Sequence, residues 1–492
     1  MSTDIDVTPV QAHSIESFDH ETDVLVIGFG MAGAAAAFEA AGAGARTIVL
    51  ERASGPGGSS AMSGGEIYLG GGTSVQRACG FEDSPDAMYR YLEAALGPYV
   101  DTEKLRLYCD GSPELFEWFV ARGVTFKNSF FDRPAWIPPT DDGLMWLGEN
   151  ASPYRRLATP APRGHRPQVE WSGGGVLMQR MVAAVAEAGA TTHTDTLVTN
   201  LVVDQGRIVG VVARKYGEQV TYRAGKGVVI TTGGFVDNEQ MLAHHAPLLV
   251  GHGKVSDGLD DGSGIRMAAA LGANTRRMSV TQLALNVIPG LVARGILVNA
   301  RGERFVAEDS YPGHLSVEAI RNQPGPYWVI VDQEGFEEVL EIDLLGTVPT
   351  HAEEDAAELE KALEMVPGTL QSTIELYNAY AEKGEDPIFG KQERWIRPLR
   401  GPLAAIDPRV IRRASSEIKQ VGTGIIGFTL GGLHTTADGE VLDVSGNKIS
   451  GLFAAGRAAS GIHGSDYVSG TSLGDGAFFG RRAGRAAAGV AV

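Results

Sequence analysis

The sequence predicts an α/β fold in which one domain is split along the chain by the insertion of a second. Three observations support this prediction. Residues 23–52 read as strand, glycine turn, helix and strand; a buried strand ends in GVVITTGG at 227–234; and another ends in GLFAAG at 451–456. Buried strands that end in glycine loops are typical of doubly wound sheets, which bind ligands at the strand ends.

The region between the second and third of these strands has a different character. It holds the extended segment GILVNARGERF, a break rich in Pro and Gly, and helical patterns around 352–382. We therefore predict a poorly ordered polar tail over 1–20, a split domain over 21–275 and 415–492, and an inserted α+β capping domain over 276–414. Residues 131–172, rich in Pro, Trp and Arg, are expected to form a surface excursion. Its arginines should be solvated (Arg155, Arg156, Arg163 and Arg166).

The composition excludes several classes of function. The formal net charge of −18 does not suit binding to nucleic acid or to anionic membranes. The two cysteines, Cys79 and Cys109, form neither a disulfide framework nor a metal site, and no metal is expected. The acidic N-terminus does not resemble a secretory signal, and no apolar run approaches the length of a membrane span. A cytoplasmic enzyme is the expectation.

The first glycine turn, GFGMAG, has the form of a dinucleotide-binding fingerprint. Gly28 permits the turn, Gly30 lets the backbone approach a pyrophosphate, and Gly33 allows close helix packing. Met31 and Ala32 begin the helix whose N-terminus would face the phosphates. At the end of the second strand, Glu51 is positioned to accept a hydrogen bond from a ribose hydroxyl, and Arg52 follows it. A Rossmann-like nucleotide site is predicted here.

Three further glycine segments are spread along the chain, at 57–72, 231–234 and 451–476. Together with the fingerprint, they could wrap one long dinucleotide, and we expect FAD. The chain resembles the flavoprotein subunit family of fumarate reductase and succinate dehydrogenase over about residues 23–486. The matching pieces are VIGFGMAG…VLE, GGSSAMSGG, GVVITTGGF, DGSGIRMAAALGA, GILVNARGERF, TLGGL, GLFAAG and GAFFGRRAG. The resemblance implies a Rossmann-like FAD-binding domain, split in sequence, with an inserted capping domain.

The resemblance also implies which residues contact FAD. Beyond the fingerprint residues, these are Gly58, Ser59, Ser60, Ala61, Gly64, Gly65, Val202, Thr232, Gly233, Asp261, Gly456, Arg457, Gly470, Ser472 and Leu473. Ser472 and Leu473 would open a helix whose positive end faces the flavin pyrimidine ring. Two features depart from the family pattern: Arg457 stands where many members have Glu, and residues 55–73 contain no His for a covalent link. The FAD is therefore expected to be noncovalent.

The family's dicarboxylate reductases use cationic residues, and this chain lacks them at the matching positions. Tyr311 and Pro312 stand where the proton-donating Arg is expected, Phe428 where a His is expected, and Tyr467 where the C-terminal Arg is expected. A site without cations does not compensate a buried dicarboxylate. The substrate is therefore expected to be uncharged and largely apolar.

These replacements are similar to those of the 3-ketosteroid dehydrogenase branch of the family. Tyr311 and the run Tyr467-Val468-Ser469 match the Δ4-(5α) type, whereas the YPGPG loop of the Δ1 type is not seen. By this resemblance Tyr311, Tyr467 and Ser469 are the catalytic residues. Our hypothesis is that Ser469, assisted by one tyrosine, takes the C4 proton, while the other tyrosine and the loop amides hold the C3 oxygen. A 3-ketosteroid and an external electron acceptor are the expected partners. A Δ1-dehydrogenase, a flavin reductase of enoates and a non-catalytic flavin protein remain as alternatives.

Overall fold

The computed structural model describes residues 6–344, 347–408 and 424–491. Its strands are β1 (Val10–Gln11), β2 (His20–Ile27), β3 (Thr47–Leu50), β4 (Ile67–Tyr68), β5 (Phe130–Phe131), β6 (Leu144–Met145), β7 (Gly164–His165), β8 (Thr191–His193), β9 (Thr196–Asp204), β10 (Arg207–Lys215), β11 (Glu218–Ile230), β12 (Gly253–Lys254), β13 (Thr275–Arg276), β14 (Thr281–Leu285), β15 (Ile296–Val298), β16 (Trp328–Asp332), β17 (His351–Glu353), β18 (Leu403–Ile406), β19 (Ile425–Thr429), β20 (Gly432–Leu433), β21 (Glu440–Leu442) and β22 (Lys448–Ala454).

The α-helices are α1 (Met31–Gly42), α2 (Gly58–Met62), α3 (Ser74–Ala78), α4 (Pro85–Ala95), α5 (Thr102–Val120), α6 (Gly174–Glu187), α7 (Glu239–His245), α8 (Ser263–Ala269), α9 (Pro289–Arg294), α10 (Pro312–Asn322), α11 (Gln333–Glu337), α12 (Glu341–Leu344), α13 (Ala356–Ala362), α14 (Thr369–Ala381) and α15 (Thr471–Ala487). Short 3₁₀ turns occupy Ala12–Ser14, Tyr154–Arg156, Pro247–Leu249, Glu393–Trp395 and Gly456–Ala458.

The largest sheet joins segments that are far apart in sequence. Its strands run in the order β1-β9-β10-β11-β2-β3-β8, and β22 also pairs with β11. The pairs β11–β2, β2–β3, β3–β8 and β11–β22 are parallel. Because parallel strands end at the same edge of a sheet, the glycine turns after β2, β11 and β22 meet there. The α/β fold predicted from the sequence is confirmed.

The predicted disordered tail requires a correction. Val10–Gln11 pairs in parallel with Val202–Val203 of β9. The side-chain amide of Asn200 also donates to the carbonyl oxygens of Asp6 and Thr8, at 2.8 and 3.0 Å. Over the described residues 6–20, the polar composition does not prevent order, because the backbone of Val10–Gln11 completes the edge of the sheet.

Helices α1 and α15 cover one face of the sheet and cross very closely. A Cβ atom on Gly480 would lie 2.5 Å from the carbonyl oxygen of Ala32, and one on Gly484 would lie 2.2 Å from that of Ala36. Five alanines of α1 are fully buried, so the contact is made by backbone and methyl groups; they are Ala34, Ala35, Ala36, Ala37 and Ala40. Small residues on both helices thereby bring the N-terminal and C-terminal parts of the split domain together.

Replacing Gly33 by Ala should destabilise the protein strongly. The new Cβ would lie 2.0 Å from the carbonyl oxygen of Gly28, a backbone atom that does not move aside cheaply. Overpacking of this kind usually costs about 1–3 kcal/mol, and we expect the free energy of unfolding to fall by about 3 kcal/mol or more. Urea titration measures the change. The control is Gly42→Ala in the same helix, where the new Cβ meets nothing within 4 Å. That change should stabilise the protein by about 0.5–1 kcal/mol. Equal effects of the two changes would contradict the close packing.

A second group of elements comprises the antiparallel sheet β15-β16-β18-β17, with helices α13 and α14 packed against it. We propose that it is the core of the capping domain. The strands β14 and β19, which flank this region in sequence, pair with each other antiparallel. The predicted domain boundary at residue 414 lies outside the described residues. Within the described ranges, no helix combines the length and the apolar character that a membrane span requires.

The predicted surface excursion is also corrected in part. Its segments β5, β6 and β7 form a small sheet with β4, and Arg163 and Arg166 are buried rather than solvated. Arg163 donates from Nε and a terminal nitrogen to the carboxylate of Asp83, at 2.9 and 2.6 Å. The excursion is thereby fixed to the body of the protein by a buried ion pair.

Candidate functional site

A large cavity lies at the edge of the main sheet where the parallel strands end. It encloses about 910 Å³, counting the part open to solvent. Its walls come from segments spread over most of the chain, namely 27–32, 50–52, 58–60, 196–198, 231–233, 257, 259–260, 263, 267, 456–457, 472–473 and 476. The glycine segments singled out in the sequence thus surround one space.

Two helix N-termini face this cavity. Met31 and Ala32 begin α1, Ser472 and Leu473 lie at the start of α15, and all four residues line the wall. Neither helix begins with a side-chain cap, because the residues before them are Gly30 and Gly470. Helix N-termini attract anions, so the cavity offers two separate places for negative charge.

The residues at the end of β3 are fixed by hydrogen bonds. The carboxylate of Glu51 accepts from the backbone N–H groups of Phe29 and Ala53, both at 2.8 Å. This fixes Glu51 at the cavity wall, as a partner for a ribose would require. Arg52 forms an ion pair of 2.8 Å with Asp261. Asp261 is thus a partner of Arg52 rather than part of the wall.

Arg457 is the residue that departs from the family pattern, and it has two partners. Its guanidinium forms an ion pair with the buried carboxylate of Asp260 and lies over the ring of Phe428, 5.4 Å from its centre. Burial raises the pKa of Asp260, and the charge of Arg457 opposes this shift. Asp260 lines the cavity. The resemblance had indicated its neighbour Asp261 and not Asp260 as a cofactor contact.

Most predicted cofactor contacts lie in the cavity wall. Those that do are Gly28, Gly30, Met31, Ala32, Glu51, Arg52, Gly58, Ser59, Ser60, Thr232, Gly233, Gly456, Arg457, Ser472 and Leu473. Gly33, Ala61, Gly64, Gly65, Val202, Asp261 and Gly470 are not among the lining residues. Val202 pairs through its backbone with Val10 and Gly210, whereas Val198, four residues earlier on β9, reaches the wall. A cofactor contact at Val202 stays a prediction.

Three of the remaining glycines lie where a side chain would not fit. A Cβ atom on Gly65 would lie 2.5 Å from the backbone of Gly173, and one on Gly470 would lie 2.6 Å from the amide nitrogen of Tyr68. Gly64 lies against the carboxylate of Glu66. These glycines bring the loop after α2 and the C-terminal loop together beside the cavity.

The three predicted catalytic residues come from two separate elements. Tyr311 precedes α10, whereas Tyr467 and Ser469 lie in the loop before α15. The Tyr311 side chain is buried, and its hydroxyl makes no hydrogen bond of normal geometry with the residues that the structure describes. The hydroxyl and amide of Ser469 are near enough to lower the pKa of Tyr311, although burial and Tyr467 raise it overall. The fold therefore brings these hydroxyl groups into one neighbourhood.

The ring of Tyr467 is held on two sides. It stacks on His463, with ring centres 5.6 Å apart, and meets Phe428 edge-on at 5.3 Å. Burial, followed by the charge of Glu66, raises the pKa of Tyr467, while the loop amides of Ser472 and Gly470 act to lower it. Tyr467 is therefore a neutral phenol at physiological pH, able to donate a hydrogen bond.

His463 supports this loop rather than taking part in proton transfer. It is buried, its Nε2 lies 2.9 Å from the hydroxyl of Thr471, and burial lowers its pKa to about 3. A neutral imidazole at that depth stays uncharged across the physiological range.

One buried pair beside the hydroxyl groups was missed. Glu66 faces Arg166, with 3.7 Å between Oε1 and Nε. Arg166 also donates to the carbonyl oxygens of Thr140, Pro138 and Trp171. Burial raises the pKa of Glu66, and Arg166 opposes this shift. The two residues are 100 positions apart in sequence, so no local signal could have paired them.

The cavity fits FAD in its donor set and its shape. The hydroxyl of Thr232, at the wall, is buried and lacks a hydrogen-bond partner within the described part of the chain. At Gly28, a Cβ would lie 2.7 Å from the carbonyl oxygen of Thr231, so no side chain fits there. A ligand can therefore approach the backbone of the turn directly. Glu51 would hold a ribose, the start of α1 the pyrophosphate and the start of α15 the flavin.

Comparison with known proteins agrees with this arrangement. The family model "FAD binding domain" matches residues 23–473. A crystal structure of 3-ketosteroid Δ4-(5α)-dehydrogenase from Rhodococcus jostii RHA1, in complex with 4-androstene-3,17-dione, is 46% identical, with a TM-score of 0.93, covering 98% of this chain and 100% of that one.

Curated relatives are more distant. A probable fumarate reductase of Shewanella frigidimarina is 28% identical over 95% of this chain and 75% of its own length. A 3-oxo-5-alpha-steroid 4-dehydrogenase of Comamonas testosteroni is 27% identical over 88% of this chain and 92% of its own. The resemblance to the fumarate reductase flavoproteins is confirmed, and so is the expectation of FAD. The chain therefore belongs to the FAD binding domain family and is an FAD-dependent oxidoreductase.

Proposed function

We propose that this protein desaturates 3-keto-5α-steroids, introducing the double bond between C4 and C5. The observation that carries the proposal is the grouping of Tyr311, Tyr467 and Ser469 beside the cofactor cavity, where hydroxyl groups take the place of ionic anchors. The 46% identity to a dehydrogenase of this specificity supports it. We also propose that the FAD is held without a covalent bond.

The charges near these hydroxyl groups are already compensated. Arg457 is paired with Asp260, and Arg166 faces Glu66. A dicarboxylate entering this neighbourhood would have to break such a pair to gain a counter-charge, at a cost in desolvation. A neutral ketone requires only hydrogen-bond donors, which Tyr467 and the amides of the C-terminal loop can supply. The site thus favours an uncharged substrate.

The proposed chemistry removes a proton from C4 and a hydride from C5. A ketone at C3 acidifies the C4 hydrogen, and the developing enolate oxygen needs donors preorganised around it. We assign Tyr467 and loop amides to that oxygen and Ser469 to the C4 proton, with Tyr311 accepting the proton from Ser469. When bound, FAD supplies the acceptor for the hydride from C5. An external electron acceptor then completes turnover.

The test is anaerobic mixing of the purified holoenzyme with 5α-androstane-3,17-dione, followed by the visible absorbance of FAD. We expect rapid bleaching, with 4-androstene-3,17-dione as the steroid product. Bleaching by 4-androstene-3,17-dione instead would indicate Δ1-dehydrogenation. If neither steroid bleaches the enzyme and fumarate reoxidises a chemically reduced sample, the protein is an enoate reductase and the proposal is wrong.

A further inference from the structure

The proposed function requires a route for a proton. The reaction delivers one proton to the hydroxyl pair Ser469 and Tyr311, and the hydroxyl of Tyr311 is buried away from bulk water. A phenol with a raised pKa cannot store that proton, since it is already protonated. Tyr311 can only accept one proton while releasing another, so a second acceptor must lie on its far side.

A second cavity lies next to Tyr311. It is small, about 250 Å³ counting the part open to solvent. A steroid would not fit in it, whereas a proton carrier such as water would. Its walls are made by Tyr91, Ala95, Tyr154, Tyr311, His314, Val317, Asp466, Tyr467 and Val468. The same space thus touches Tyr311 and Tyr467 as well as His314 and Asp466.

His314 is a titratable group in the wall of this cavity, and it is largely but not fully buried. It lies in the first turn of α10, three residues after Tyr311. Its Nδ1 lies 3.3 Å from the hydroxyl of Tyr154, whose ring packs against the imidazole. This contact fixes the orientation of the imidazole within the cavity wall.

Several groups set the titration of His314. Burial lowers its pKa, while the carboxylates of Glu318 and Asp466 oppose the shift. Asp466 is itself paired with Arg321 at 2.8 Å, and Tyr91 packs on Tyr154 from the opposite side. The imidazole is therefore neutral at physiological pH and can accept a proton.

We propose that His314 relays the substrate proton from Tyr311 to solvent. As Ser469 passes the proton to the Tyr311 oxygen, the Tyr311 hydroxyl hydrogen passes to a water molecule in the small cavity, which gives a proton to an imidazole nitrogen. The imidazolium then loses a proton to bulk water. One proton enters and one leaves, and no electrons move in the relay. His314 acts through Tyr311 and does not touch the substrate.

The kinetic test compares His314→Gln with wild type in the holoenzyme. We expect FAD bleaching by 5α-androstane-3,17-dione to slow at least about tenfold, the scale of a lost acid–base step, with steroid affinity unchanged. In wild type the rate should fall as pH drops below the pKa of His314, because the imidazolium cannot accept a proton. That acidic limb should vanish in the variant. His13→Gln, at an exposed turn, is the control and should match wild type. A variant with wild-type rate and pH profile would overturn the relay.

A second measurement does not depend on turnover. In protein labelled with ¹⁵N only at histidine, the signal lost in His314→Gln identifies His314. We expect it to titrate below the ordinary range of histidine and to shift its midpoint in Tyr311→Phe. A midpoint that is identical in the two proteins would overturn the relay. If wild type is not bleached by the steroid, the proposed function fails, whereas this titration still decides whether His314 communicates with Tyr311.

Discussion

Replacing Tyr467 by Phe should lower the rate of FAD bleaching by a 3-keto-5α-steroid by about 10²–10³-fold, the range found when one donor to a developing oxyanion is removed. The ring contacts with His463 and Phe428 do not involve the hydroxyl, so FAD content and thermal stability should stay at wild-type values. The loss should appear in the rate at saturating steroid, since the donor acts mainly on the enolate.

The control for this experiment is Tyr99→Phe. Tyr99 is 81% exposed, and its hydroxyl should have no effect on the reaction. Both variants should be measured at matched FAD occupancy, judged by the ratio of flavin to protein absorbance. A Tyr467→Phe enzyme with intact FAD and full turnover would remove the tyrosine from the proposed chemistry.

Replacing Arg163 by Met should be among the most destabilising single changes. It would leave the Asp83 carboxylate, whose side chain is fully buried, without its counter-charge. Breaking a buried pair in this way costs about 3–5 kcal/mol, a large share of the roughly 5–15 kcal/mol by which a typical domain is stable. Urea unfolding of the holoprotein measures the loss.

The matched control is Arg46→Met. Arg46 forms a pair of the same chemistry with Asp23, at 3.0 Å, but its side chain is 69% exposed. Exposed pairs contribute about 0–1 kcal/mol, so the control should unfold close to wild type. Similar losses in both variants would mean that the burial of the Asp83–Arg163 pair has no energetic weight.

The features predictable from the sequence are those with a local signal. The fingerprint at Gly28, Gly30 and Gly33 could be read because a strand, a turn and a helix must follow one another there, and Glu51 could be placed from the length of that unit. The α/β class followed from the repetition of such units. The hydroxyl group at Tyr467 could be found because a motif surrounds it.

What could not be predicted depends on register and on distant pairing. Val202 and Val198 are both apolar residues of one strand, and only the sheet register decides which one reaches the cavity. Arg163 and Arg166 look solvated in the sequence because their partners, Asp83 and Glu66, come from remote segments. A buried charge is recognisable only when its counter-charge is known.

The close crossing of α1 and α15 has a consequence for biogenesis. The residues that line the cavity run from residue 27 to residue 476. A chain emerging from the ribosome therefore cannot complete the cavity until α15 has docked on α1. A ligand that binds only the folded state increases the free energy of unfolding by RT ln(1 + [L]/Kd), about 4 kcal/mol at a thousandfold excess over Kd. FAD binding therefore stabilises only molecules in which the cavity is complete. We therefore expect chains that stop before α15 to bind no FAD, to lack its colour and to stay sensitive to proteolysis.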